Sequence, residues 1–90
     1  MPKKRLIYLT GAQAVGKSTL CKSSGWHEIE IKSYAVERAD LAETIDFQFL
    51  GYDTIAVTSQ EYSDSLNRFL FEQAVIHKAL YNRMKLKTVY

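Results

Sequence analysis

Eight residues near the start of the chain carry its clearest chemistry. Gly11-Ala12-Gln13-Ala14-Val15-Gly16-Lys17-Ser18 fits the spacing G-x-x-x-x-G-K-[ST], in which residue types and separations both have a physical purpose. Glycines at the two ends let a loop bend around a compact anion. Loop N–H groups converge on its oxygens, and the positive end of a following helix favours the negative charge they surround. Lys17 adds a mobile ammonium for β- and γ-phosphates, the Ser18 hydroxyl is an oxygen ligand for Mg²⁺, and Thr19 is placed for an α-phosphate. Gly11, Gln13, Ala14, Val15, Gly16, Lys17, Ser18 and Thr19 therefore read as a cradle for a nucleoside triphosphate, ATP or GTP, with Mg²⁺ and with Lys17 as the catalytic cation. The blander alternative is a glycine-bounded turn with a solvated lysine, which needs every one of these residues to coincide by chance.

Such a loop works only between a buried strand and a helix. Leu6 to Thr10 (LIYLT) is an apolar, strand-forming run with almost nothing polar on either face, the pattern of a buried parallel strand. Gly11 ends it. Lys17 to Lys22 or Ser23 predicts a short helix that fails at Ser23-Ser24-Gly25. His27 to Ile31 (HEIEI) alternates with a period of two and predicts a second strand with one wet face, at an edge.

Ser33 is a candidate cap for a helix over Tyr34 to Glu43, with Val36, Ala39 and Leu41 as its weak apolar face. From Thr44 to Val57 a helix end and a loop around Gly51 are expected. Thr58 and Glu61 have capping-box spacing. The stripe Tyr62, Leu66, Phe69, Leu70, Ile76, Leu80 and Met84 then predicts a long helix reaching about Met84. Leu86 to Tyr90 (LKTVY) reads as a third strand. No repeat or low-complexity tract interrupts the pattern.

Ninety residues with an apolar share near half and a charged share near a quarter describe a single globular α/β domain at most. A net charge of +2 is too small to argue for nucleic acid, and Lys3, Lys4 and Arg5 keep the start of the first strand in water. Cys21, the single cysteine, excludes an internal disulfide and a multi-cysteine metal site, so a reducing, cytoplasmic setting is expected. No apolar run is long enough for a membrane helix or a secretory signal.

The segment IYLTGAQAVGKSTL resembles the first strand and P-loop (Walker A motif) of the small P-loop nucleoside and nucleotide kinases. It is particularly similar to the AAA-annotated phage and bacterial kinase-like proteins that include ribosylnicotinamide-kinase-type domains. IEIKSYAVERADLAETIDF is similar to their second strand and substrate-side helix, and LNRFLFEQAVIHKALYNR with LKTVY resembles their next helix and the start of their next strand. The resemblance implies a three-layer P-loop NTPase sheet, parallel, with strand order 2-3-1 and the third strand returning beside the first. It also implies that the chain spans only the N-terminal half of such a domain. The Walker B acid, the lid arginines and the adenine-contacting loop would then lie beyond it, and the hydrophobic first strand would be left as an open edge.

By the same resemblance Glu37 and Arg38 face the phosphate acceptor, Arg38 toward a phosphate and Glu37 toward a sugar hydroxyl, against the alternative of an exposed helix pair. Asp40 and Asp46 are candidates for the missing acid, although a lone helical carboxylate is usually solvated. His27 and His77 read as surface residues, and Trp26 as a packing lid over the end of the first helix. Cys21, three residues past Ser18, reads as buried packing, with a thiol activated by the helix terminus as the alternative. Tyr62, Phe69, Phe71 and Tyr81 read as core in preference to a nucleobase cage.

Three functions are consistent with these residues, in descending order. The first is part of an ATP-dependent phosphotransferase acting on a nucleoside, nucleotide or similar small molecule. The second is a non-catalytic binding or regulatory module that pairs with itself or a partner at an open sheet edge. The third, an ATPase coupled to motion, lacks a recognisable acid and arginine finger.

Overall fold

Leu6, Ile7, Tyr8 and Leu9 are buried whichever face of their strand they occupy, so the strand has to lie inside a sheet covered on both sides. A computed structural model, describing residues 3–12, 15–31 and 37–86, places it there. The described residues form β1 (Arg5–Thr10), α1 (Lys17–Ser24), β2 (His27–Glu30), α2 (Arg38–Gln48), β3 (Thr54–Ser59), α3 (Asp64–Ile76) and β4 (Leu80–Lys85). All strand pairs are parallel, in the order β2-β3-β1-β4. None of the described helices is long and apolar enough to cross a membrane.

Alternation along the strands sorts the core into two layers. Leu6 and Tyr8 of β1 join Ile55 and Val57 of β3 under α2 (Leu41, Ile45) and α3 (Leu66, Leu70, Ala74), with Phe49 beside them. Ile7, Leu9 and Ala56 point the other way, onto Cys21 of α1. Tyr8 also crosses from sheet to connection. Its hydroxyl accepts the Ser63 N–H at 3.0 Å and lies 3.3 Å from Ser59 Oγ, while its ring stacks on Tyr62.

The short α1 stops where Ser23-Ser24-Gly25 predicts, with Gly25 in the left-handed region at φ 75°. β2 is an edge strand with Ile29 toward the core, as its alternation implies. The expected 2-3-1 order holds for β2, β3 and β1, but the strand between the first two is 54–59, not 86–90. Residues 54–57 read as loop in the sequence, and Thr58 as the cap of the next helix. β-Branched Thr54, Ile55, Val57 and Thr58 instead form a strand buried on both faces, which leaves no alternation to read.

The Thr58–Glu61 capping box is not formed, because Thr58 belongs to β3. Ser63 caps α3 instead, its hydroxyl accepting the Leu66 N–H at 3.3 Å. That helix ends at Ile76 rather than Met84. Lys78 adopts φ 54°, and the Ala79 N–H returns to the Ala74 carbonyl at 2.8 Å, closing the last turn without the glycine that usually marks a stop. Leu80–Lys85 then pairs with β1 from Arg5↔Leu80 to Thr10↔Lys85. β1 is therefore not the exposed edge expected of it; β4 is. Residues 87–90 of the predicted last strand lie outside the described residues, as do Ser33 and the start proposed for α2. That helix begins at Arg38 and runs on to Gln48, because Ile45 and Phe49 continue the Leu41 face at four-residue steps.

Of the predicted α3 stripe, Leu66 and Leu70 are buried and Phe69 is half-buried, whereas Ile76 is 67% exposed. Leu66→Ala should therefore cost about 2–5 kcal/mol in urea unfolding. Ile76→Ala should cost about 0.5 kcal/mol or less. Equal losses at the two positions would contradict the observed end of α3.

Candidate functional site

The chain leaves β1 under tight constraint. The Gly11 N–H donates to the Ser59 carbonyl at 3.3 Å, and the Leu86 N–H donates to the Thr10 carbonyl at 2.8 Å, so neighbours on both sides flank the exit. A Cβ on Gly11 would stand 2.9 Å from the Leu86 carbonyl oxygen and 2.9 Å from Val15 Cγ2; only glycine fits without displacing backbone. Gly16, at φ 99° and ψ 21°, is the N-cap of α1 in a conformation that side-chain-bearing residues rarely adopt. Gln13 and Ala14 lie outside the described residues.

These two glycines set where Lys17 begins. As the first residue of α1 it folds back over the loop, and its Nζ donates to the carbonyls of Gly11 and Ala12. An ammonium has three donors, so two hold the loop and one remains for an anion. The start of α1 suits that anion. Gly16 offers no side-chain cap and the first turn carries no acidic residue, whereas α2 has Asp40 and α3 has Ser63 and Asp64 in those places.

Ser18 and Thr19 belong to the same first turn, Thr19 exposed and Ser18 directed toward β2. The Ser18 hydroxyl donates to Glu28 Oε2 at 3.1 Å, and Thr58 Oγ1 donates to the same oxygen at 2.9 Å. Glu28 was not a candidate from the sequence. The signal was present in HEIEI, whose alternation puts Glu28 and Glu30 on one face; what was missing was that α1 covers that face. Among the described residues no three His, Cys, Asp or Glu side chains gather to hold a metal. A serine hydroxyl backed by one carboxylate still fits Mg²⁺, whose other ligands are water and phosphate oxygen.

Cys21 is buried beneath α1, as its packing role implies. Burial first, and the Glu28 carboxylate second, push its thiol up from 9.0 to about 11, so the helix terminus does not activate it. Trp26 packs half-buried on the same layer with Leu20 and Leu86, the lid expected of it. His27 is half-buried and stacks on Tyr52 with ring centroids 4.3 Å apart.

The other candidates lie elsewhere. Arg38 donates to Ser65 Oγ at 3.3 Å and sits over the Phe69 ring, so its partners are on α3, across the sheet from α1. Glu37 is the exposed N-cap of α2, and its carbonyl accepts the Leu41 N–H. Asp40 is exposed on the first turn of α2. Asp46 pairs with His77, which packs on Phe49 near Lys4, at the end of the sheet opposite Gly11. Phe69 and Tyr81 are half-buried against the core, but Tyr62 and Phe71 are exposed.

No family model matches the chain, and no curated protein or solved structure matches it. Function is therefore argued from the site alone.

Cys21 provides a check on the layer that supports it. Its thiol should resist a thiol-labelling reagent at neutral pH while the chain is folded and react once denaturant is added. Because the folded state holds the proton more tightly than the unfolded state, the thiol's contribution to stability is intact below pH 9.0. It is lost as the pH rises through about 11. Rapid labelling of the folded chain at neutral pH would contradict this burial.

Proposed function

We propose that residues Gly11 to Thr19 form a P-loop that binds ATP or GTP with Mg²⁺, and that the chain transfers the terminal phosphoryl group to a nucleoside, nucleotide or similar small molecule. The observation that carries this reading is the Lys17 ammonium, tied to the Gly11 and Ala12 carbonyls at the uncapped start of α1. In transfer the bond from the terminal phosphorus to its bridging oxygen breaks and one to the acceptor oxygen forms. A nucleoside diphosphate departs, and the acceptor's proton is released.

Lys17 binds the β- and γ-phosphates, and the first-turn N–H groups of α1 face the anion. Bound Mg²⁺ supplies charge neutralisation for the phosphates. Ser18 presents the oxygen that would hold it, and Thr19 lies beside the α-phosphate. Arg38 and Glu37, at the start of α2, are proposed for the acceptor side on the family resemblance alone; to act there Arg38 would have to leave Ser65 and Phe69 of α3. The single buried thiol suits a cytoplasmic setting.

A second reading, a non-catalytic binding or regulatory module, draws support from β4. That edge strand exposes Leu80 and Met84 and offers its outer N–H and C=O groups to a second copy or a partner strand.

Titration calorimetry with Mg²⁺-ATP and Mg²⁺-GTP tests the leading reading. The chain should bind at least one of them, and Lys17→Ala should weaken binding by roughly tenfold to a hundredfold through the lost charged contact. Binding by neither nucleotide, or an unchanged Lys17→Ala titration, would remove the basis of this proposal. Product formation with a panel of nucleosides and nucleotides then separates transferase from binding module.

A further inference from the structure

Two neighbouring residues of α1 have opposite hydrogen-bonding states. Lys17 has a donor to spare, but Ser18 does not, because the one proton of its hydroxyl is committed to Glu28. Ser18 can then offer a ligand only its lone pairs. Such a group accepts from a donor or coordinates a cation; it does not donate to a phosphate.

The arrangement is held from two sides. Thr58 has no solvent exposure, so its hydroxyl needs an internal partner, and it finds Glu28 Oε2 at 2.9 Å. Both hydroxyl bonds fall on Oε2, one from α1 and one from β3, and together they fix a carboxylate that β2 alone would leave to swing. Its charge stands beside the turn where a phosphate would bind. Without a cation between them, the carboxylate and the phosphates repel.

We infer that Glu28 is the positioning residue that makes nucleotide binding depend on a divalent cation: it holds the Ser18 hydroxyl as an acceptor and opposes phosphate that arrives without metal. This rests on the phosphate-loop reading above. It assigns to β2 an acidic function that the sequence placed, if anywhere, on Asp40 or Asp46.

The test compares ATP binding in EDTA and in MgCl₂, by titration calorimetry, for the unaltered chain, Glu28→Gln and Lys17→Ala. The amide oxygen of Gln still accepts from Ser18 and Thr58 but carries no charge. In Glu28→Gln the Mg²⁺ enhancement of affinity should fall by about tenfold or more, as for other groups that support a metal ligand. Binding in EDTA should be equal or tighter, whereas Lys17→Ala should weaken binding in both media. An enhancement in Glu28→Gln equal to that of the unaltered chain overturns the role of Glu28 and leaves the nucleotide-binding reading standing. Absence of ATP binding by the unaltered chain in both media overturns the two together.

Should Glu28→Gln not fold, as judged by circular dichroism, Thr58→Val provides the test. It releases the carboxylate from β3 while keeping its charge. A reduced Mg²⁺ enhancement supports the inference, and an unchanged one overturns it.

Discussion

The structure depends on the complete enclosure of β1. Strands β3 and β4 pair with it on either side, α1 covers one face, and α2 with α3 covers the other. A strand so confined can release the chain only off its end, and there Leu86 and Val15 leave room for nothing larger than a hydrogen on Gly11. The position of the loop and of Lys17 follows from that exit, since the ammonium is tied to the first two carbonyls beyond the strand.

The two faces of the sheet then divide the work. The α2 and α3 layer holds most of the apolar core. The α1 layer is smaller, and at its side the half-buried Glu28 accepts from two hydroxyls on one carboxylate oxygen. Without that carboxylate the buried Thr58 hydroxyl would lose its partner. The same carboxylate raises the Cys21 thiol further than burial alone does, so charge in this layer is felt beneath α1.

The sequence revealed elements whose signals are local. Gly11, Gly16 and Lys17 announced the loop, Ser23-Ser24-Gly25 the end of α1, and HEIEI an edge strand. It hid those whose signals are not. Residues 54–59 lack alternation because both their faces are buried, and Leu80–Lys85 looks helical because Leu80 and Met84 continue the spacing of α3. Only pairing with β1, far away along the chain, draws that segment into the sheet. The stop at Lys78 was illegible for a related reason, as a lysine rarely takes the left-handed backbone a glycine would have advertised. Glu28 was visible as a wet position on β2, but its partners Ser18 and Thr58 come from two other elements.

One contact ties the central strand to the head of the helix packed on it. The phenol of Tyr8 stands on the strand that ends at Gly11, yet it grips the Ser63 amide at the head of α3. Removing that phenol would leave the Ser63 N–H without this acceptor and weaken the hold of the central strand on the start of α3.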